Sequence, residues 1–334
     1  MTSPVAERGA ARPEEFQAIL ESCQPLILRG QVADWPAVQA GRQGPQAFCD
    51  YVLAFDRGLA MDAFVGPPEI HGKYFYDSGF GAFNFERKQM GFAATVKAVV
   101  GNLATPGAPS VYAGSVPVDD YLPGFTAANT MPLLEGVNPR IWIGHASNVS
   151  SHYDAMENIA CVTAGTRRFT LYPPELIGKL YIGPIDRTMA GQPVSLAASS
   201  APDAERFPLF EPLRDSALIA ELGPGDAIFL PKLWWHQVEG TAPFNCLVNY
   251  WWDAFRSGPD APYTAMLLAL IAIAERPPAE RTAWKAWFDH YVFRSEGHPL
   301  RHLPPQEHGL LGPLKPDNYG RLRAYVMHLL RGGH

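Results

Sequence analysis

The sequence predicts a mainly β core, a sandwich or small barrel, with mixed α/β elements before it and helices after it. Three observations carry this. From about Ser110 to Asp253, short apolar runs alternate with Gly, Pro, Asn and Asp, the rhythm of short strands joined by turns. The first hundred residues mix helix starts with one buried-strand run. After Pro262 the pattern becomes helical. These shifts divide the chain into 1–109, 110–255 and 256–334, with an excursion at 183–214.

Residues 1–12 read as a loose tail. Pro13-Glu14-Glu15 opens a helix to about Glu21, with proline and acids where a helix start favours them. Pro25 to Arg29, closed by Gly30, is a short buried strand. Gln46–Leu53 and Phe92–Leu103 are further helices. In the core, strands fall on Arg140–Gly144, Asn158–Val162, Arg168–Tyr172, Ile219–Leu222, Asp226–Leu230 and Phe244–Trp252. Ala164-Gly165-Thr166 between two of them reads as a hairpin turn. Gly223-Pro224-Gly225-Asp226 is a strong turn. The Pro-, Ser- and Ala-rich stretch 183–214 reads as a lid or flexible excursion. Asp186 and Arg187 at its start are placed to shape substrate entry, and Phe207 and Phe210 to pin it down.

Three helices follow, from Pro262, from Pro278 to Phe293, and from Asp317 to Leu330. The first is apolar on nearly every face from Met266 to Ile273 and demands burial all round. A second subunit supplies that burial most easily, so a homodimer through the C-terminal helices is expected. The alternative is packing between the β domain and the other helices.

Composition narrows the function. The 334 residues are 47% hydrophobic and 18% charged, a globular balance rather than a disordered one. The 32 prolines are near twice the usual share of roughly 5%. A net charge of −6 disfavours nucleic acid as a partner. Cys23, Cys49, Cys161 and Cys246 are scattered, with no Cys-x-x-Cys, and read as free thiols of a reducing compartment. The longest apolar run, Ala265–Ala274, has 10 residues, against about 20 for a membrane span. The opening residues lack a secretory apolar stretch. A cytoplasmic protein without a membrane partner is expected.

The chemistry centres on Ser151-His152-Tyr153-Asp154. Residues i and i+2 of a strand share a face, so His152 and Asp154 project together, close enough for one metal. Tyr153 faces away into packing. Downstream, Gly223 to His236 is a turn, a strand and a histidine in an aromatic setting. Two His and a carboxylate on a β scaffold form a facial triad suited to ferrous iron with open positions. Zinc is the rival metal, and His236 alone also reads as a core histidine packed on indole. Trp234, Trp235, Trp251 and Trp252 are candidates to wall a pocket, with at least two of them plain core. Glu157 lies on the alternate face from Asn158. His71 and His145 are candidates for the cleft mouth.

The ordered set of motifs is more specific than any one. It comprises Pro25-Leu-Ile-Leu-Arg-Gly30 with Asp34-Trp-Pro36, Asn148-Val-Ser-Ser-His-Tyr-Asp154, Asn158, Gly165-Thr-Arg-Arg-Phe-Thr-Leu-Tyr-Pro-Pro174, Pro224-Gly-Asp226, Pro231 through Trp234-Trp-His236, and Asn249-Tyr-Trp251. Over residues 12 to 253 the sequence resembles the JmjC-type cupin-like (cupin 8) 2-oxoglutarate oxygenases. The resemblance is in particular to the group around the asparaginyl hydroxylase that inhibits hypoxia-inducible factor. The resemblance implies a double-stranded β-helix, the cupin/JmjC jelly roll, with N-terminal α/β elements and a C-terminal dimerising segment. It implies Fe(II) held by His152, Asp154 and His236, with 2-oxoglutarate as co-substrate. Tyr112 and Arg167 match the family's contacts to the distal carboxylate, and Asn158, Asn249 and Trp251 match residues lining the same pocket.

Two departures stand out. Arg167 occupies the place of the family's anchoring lysine, and it fixes a different, bidentate geometry. Arg168 points the other way, to the surface. The family's threonine before His-x-Asp has no clean match; Val149 and Ser150 are the candidates, and Ser150 is the one that carries a hydroxyl. The implied activity is hydroxylation of a C–H bond, with a protein side chain the favoured substrate and a small molecule the other. The alternatives are a non-oxidative metal cupin, disfavoured by His-x-Asp in place of His-x-His, and a 2-oxo acid sensor or interaction protein without turnover.

Overall fold

A computed structural model describes residues 2–332, apart from 78–81, 186, 187, 189, 190, 199–202, 257, 259 and 314. By internal contacts the chain forms two units, Met1–Ala254 and Phe255–His334.

The first unit carries thirteen strands: β1 Ser3–Pro4, β2 Glu7–Gly9, β3 Leu26–Arg29, β4 Ala60–Gly66, β5 Lys73–Tyr74, β6 Glu86–Gly91, β7 Ser110–Pro117, β8 Pro139–His152, β9 Glu157–Ala164, β10 Arg167–Tyr172, β11 Leu218–Leu222, β12 Ala227–Leu230 and β13 Trp235–Trp252. The two longest, β8 and β13, pair antiparallel from Pro139↔Tyr250 to His152↔His236. Both are bent at register shifts, one between Gly240 and Phe244, the other between His236 and Val238. Each therefore serves two layers. One layer runs β2-β3-β12-β9-β13-β8-β7-β4-β6. In the other, β11 joins β1 and β10, β10 joins β13, and β5 joins β8. This is a jelly roll with added helices.

Apolar side chains meet where the layers pack. Val162, Ile228 and Leu230 of one pack with Phe169, Leu171 and Leu222 of the other. The opposite face of the first layer is covered by helices Pro13–Ser22, Pro36–Gln43, Pro45–Leu53 and Phe92–Asn102. Each of the first three begins with proline at its first turn, where the ring's fixed φ suits the helix and no N–H is needed. They bury Phe16, Val38, Phe48 and Val52 against that face. Each fully buried side chain of this size contributes roughly 1.5–3 kcal/mol.

Two expectations need correction. The first residues are not a loose tail: Ser3–Pro4 pairs parallel with β11 and Glu7–Gly9 with β3, and Val5 between them is buried. Ala164-Gly165-Thr166 is no hairpin. β9 and β10 both run antiparallel along β13, pairing with its two halves in turn, so the turn bends one line of chain. Gly165, at φ +71°, fits because a Cβ there would lie 2.2 Å from the Phe244 carbonyl oxygen. The stretch 183–214 is tied down where it is described: Ser195 donates to the Ser151 carbonyl at 2.7 Å, and Phe207 and Phe210 are buried with Tyr172 and Trp235. Asp186 and Arg187 lie outside the described residues.

The second unit has helices Pro262–Ile273, Pro278–Phe288 and Pro316–Leu330. The first has no buried residue, and Ile271 is 81% exposed. Among the described residues of this unit, nothing covers its apolar faces. Among the described residues, no helix is long and apolar enough to cross a membrane.

Candidate functional site

The site lies where β8 ends and β13 begins. His152 and His236 are direct partners across that ladder, with ring centroids 4.3 Å apart. Asp154 follows two residues later, and its carbonyl accepts from the Leu233 N–H at 2.8 Å. Leu233 takes the left-handed region at φ +69°, so the turn into β13 is shaped to hold Asp154 in place. One ligand atom from each of His152, Asp154 and His236 lies within 4.8 Å of the others, and His236 Nε2 is 3.6 Å from Asp154 Oδ2.

Both imidazoles are oriented by backbone. His152 Nδ1 lies 2.8 Å from the Ser150 carbonyl and His236 Nδ1 lies 2.9 Å from the Trp234 carbonyl. A carbonyl only accepts, so each Nδ1 holds the proton and each Nε2 keeps its lone pair for a metal. Burial, reinforced by the neighbouring His152, holds the His236 imidazole well below its ordinary pKa. That favours the neutral form a metal binds.

Asp154 is fixed by a relay of amides. Asn158 and the Trp251 indole both donate to its Oδ2, at 3.1 and 2.9 Å. Asn249 donates to Asn158 Oδ1 at 3.1 Å, and the Trp142 indole donates to Asn249 Oδ1 at 2.7 Å. Asn158 and Asn249 are buried. Two side chains thus hold the carboxylate directly and two more, Asn249 and Trp142, hold Asn158 in line behind them. Such outer hydrogen bonds set ligand orientation and basicity.

A cavity runs inward from the cluster between the two layers. Its walls include Tyr112, Trp142, Arg167, Phe169 and Leu247. Arg167 is 2% exposed, and its Nε and Nη2 have no hydrogen-bond partner. An unpaired guanidinium inside a protein is costly. Burial pushes its pKa down, opposed by Tyr112 and Cys246 nearby. Tyr112 is raised by its own burial, opposed by Arg167, so the phenol stays neutral. Gly144 makes room for this ring: a Cβ there would fall 2.5 Å from Tyr112 Cδ2.

The structure brings together His152, Asp154, His236, Asn158, Asn249, Trp251, Tyr112 and Arg167. Ser150 is not among the lining residues; its hydroxyl donates to the Tyr74 carbonyl at 3.4 Å. The reason is a bulge. Register moves from Val149↔Val238 to His152↔His236, three residues against two, and it turns Val149 to the cavity. Arg168 is exposed. Trp234 and Trp235 are core, the latter packed on Tyr153 at 4.9 Å. Glu157 is buried against Lys232 at 3.2 Å. His145 is a structural joint: Val111 N–H donates to its Nδ1 at 2.9 Å, and its Nε2 donates to the Val99 carbonyl at 2.8 Å. His71 caps a short turn at φ +48°.

Sequence reasoning missed Trp142, Phe64 and Tyr74 as lining residues. Trp142 was legible in principle, two residues before Gly144 on one strand face. The aromatic residues of β4 and β5 carry no signal of their own.

Outside the cavity, His152 and Asp154 also border an open groove walled by Arg140, Trp142, Met156, Trp251 and Trp252. An inner cavity and an open groove thus meet at the same cluster.

Comparison with known proteins fits this geometry. The Cupin-like domain family matches residues 12–258, and the chain belongs to that family, of the JmjC type. It is 30% identical over 136 residues to Jumonji C domain-containing protein 5 of Drosophila melanogaster, covering 40% of this chain and 32% of that one. It is 31% identical over 122 residues to lysine-specific demethylase JMJ31 of Arabidopsis thaliana, covering 36% and 21%. It is 29% identical over 176 residues to HSPB1-associated protein 1 of Bos taurus, covering 51% and 34%. The matches thus span about a fifth to a third of these relatives' lengths.

Proposed function

We propose that the chain is an Fe(II)- and 2-oxoglutarate-dependent oxygenase that hydroxylates a C–H bond, on a protein side chain. The observation that carries this is the unpartnered Arg167 guanidinium, buried in the same cavity as the His152, Asp154 and His236 cluster. A dicarboxylate spanning the two would satisfy both. The donor set suits ferrous iron: two neutral imidazoles and one carboxylate leave open positions. When bound, the iron with 2-oxoglutarate supplies the activation of dioxygen.

The chain's own residues do the rest. Arg167 and Tyr112 bind the distal carboxylate at the inner end. Asn158 and Asn249 keep Asp154 oriented. Trp142 and Trp251 keep bulk water from the cavity and so strengthen each electrostatic contact inside it. The groove admits the substrate, and its openness favours a protein segment over a molecule that must be enclosed.

The test is anaerobic titration with Fe(II) and then 2-oxoglutarate, read by the visible charge-transfer band. A band lost in His152→Ala and weakened in Arg167→Ala supports the reading. Iron bound at one equivalent without a band sinks it and leaves the non-oxidative or sensor role. Succinate release under air then separates turnover from sensing.

The remaining aspects rest on composition and exposure. The apolar helix Pro262–Ile273, with Met266, Leu270 and Ile271 exposed, is proposed to dimerise with a second copy. Ile271→Glu should then halve the mass seen by light scattering. A cytoplasmic setting suits four free cysteines.

A further inference from the structure

We propose that Arg140 selects the substrate, and that the substrate carries a carboxylate which Arg140 binds in the open groove. This deepens the oxygenase reading and rests on it for the groove's role. Arg140 lies on β8 opposite Asn249 of β13 and Pro117 of β7. It borders the groove together with His152, Asp154 and Trp251.

The guanidinium is held as a fixed fork. Its Nη1 donates to both the carbonyl and the hydroxyl of Ser115, each at 2.8 Å. Its central carbon lies 5.9 Å from the Trp251 ring centroid. Trp251 in turn donates to Asp154. Arginine, indole and metal-ligating carboxylate thus form a line from the groove to the metal site. Ser115 stands at φ +59° within a β7 bulge, a strained conformation for a residue with a side chain. The fold tolerates that strain where it aims Arg140.

No carboxylate partner for Arg140 occurs among the described residues. With Nη1 engaged, the Nε–Nη2 edge remains. Its two parallel N–H groups match the two oxygens of a carboxylate. The rest of the groove argues for one negative charge rather than many. Asp62 and Asp120 also line it, and Asp154 stands at its inner end. Arg87 lines the groove as well, so two arginines stand against three carboxylates. A polyanion such as nucleic acid would be opposed by those carboxylates, whereas a single carboxylate can pair with Arg140 alone. An acidic side chain in a peptide and a small free acid share this chemistry.

The experiment uses the full chain with Fe(II) and 2-oxoglutarate under anaerobic conditions. Binding is followed by calorimetry with three probes: the blocked pentapeptide Ac-Gly-Ala-Asp-Ala-Gly-NH2, its Asn counterpart, and N-acetylaspartate. The Asp peptide should bind at least tenfold tighter than the Asn peptide. Arg140→Gln should bring that ratio to about one, and Arg140→Lys should keep part of it, since lysine retains the charge without the fork. The charge-transfer band should be unchanged in Arg140→Gln, which separates a substrate role from damage to the site. N-acetylaspartate binding as well as the peptide identifies a small acid; peptide binding alone identifies a protein segment. No preference for Asp, no binding by any probe, or a preference that survives Arg140→Gln overturns the proposal. A wild type without the band but with an Arg140-dependent preference would sink the oxygenase reading and leave the anion site standing.

Discussion

His145 offers the sharpest test of how this fold holds its site. It sits between three elements: β8, which carries it, β7, whose Val111 N–H donates to its Nδ1, and helix Phe92–Asn102, whose Val99 carbonyl accepts from its Nε2. Both bonds require the neutral ring with the proton on Nε2. Replacing His145 by Ala leaves one N–H and one C=O without partners, at about 1–3 kcal/mol each when buried. His145 is only half-buried, so water recovers part of this, and roughly 2–3 kcal/mol is expected. For a unit of this size that lowers Tm by roughly 4–10 °C. The sign of the pH effect follows from burial, which lowers the His145 pKa below 6.5. The unfolded chain then binds the extra proton first. The stability that neutral His145 contributes is complete above about pH 6.5 and is lost as pH falls through its folded value. Urea melts of wild type and His145→Ala, from about pH 8 to about pH 5, should show their difference shrink as pH falls. A loss under about 1 kcal/mol, or a difference that grows with acid, would refute the reasoning. Because Val111 precedes Tyr112, the variant should also weaken 2-oxoglutarate binding.

Three further outcomes are expected. Glu157 is 2% exposed and pairs with Lys232, which also reaches Asp253 at 2.7 Å. Lys232→Met strands a buried carboxylate and should cost about 3–5 kcal/mol in urea melts, more than Glu157→Gln, which leaves Lys232 with Asp253. Asn158→Ala removes a donor to Asp154 and the acceptor for Asn249; iron affinity should fall about 10- to 100-fold by chelator competition, with the fold intact. Gly144→Ala drives a methyl against the Tyr112 ring, so affinity for 2-oxoglutarate should fall about tenfold or more while iron binding persists, an offset of about 1.4 kcal/mol.

Much of this was legible in the sequence, and the misses share a cause. Strand positions from Arg140 to Trp252 follow from alternation and turn residues, because each strand buries one face. The His152, Asp154 and His236 cluster follows from the shared strand face and the aromatic run before His236. What local pattern cannot carry is register. The reading of 164–166 as a hairpin failed because a turn between strands looks the same whether they pair with each other or with a third. Ser150 failed for a related reason. Alternation holds only while a strand is regular, and the bulge before His152 exchanges faces for Ser150 and Val149. Strand pairing by Ser3–Pro4 and Glu7–Gly9 was invisible because residues so few and polar show no period.

With the dicarboxylate proposed above in the cavity, the bulge would also account for arginine at 167. With Val149 facing the cavity, that wall offers no hydroxyl to a carboxylate. A lysine at 167 would bring one charged nitrogen and leave the other carboxylate oxygen short of a donor. Arg167 brings Nε and Nη2 together, both without partners in the chain, and a fork of two N–H groups fills the deficit. The two departures from the family pattern are then one adaptation, and they should be coupled. Arg167→Lys alone should weaken 2-oxoglutarate binding by about tenfold or more, near 1.4 kcal/mol. Val149→Thr alone should change little, since Arg167 already satisfies the ligand. The double variant should recover most of the loss, giving a coupling above about 0.5 kcal/mol in a double-mutant cycle. Additive effects would mean that Arg167 and Val149 act separately, and that the arginine is held for another reason.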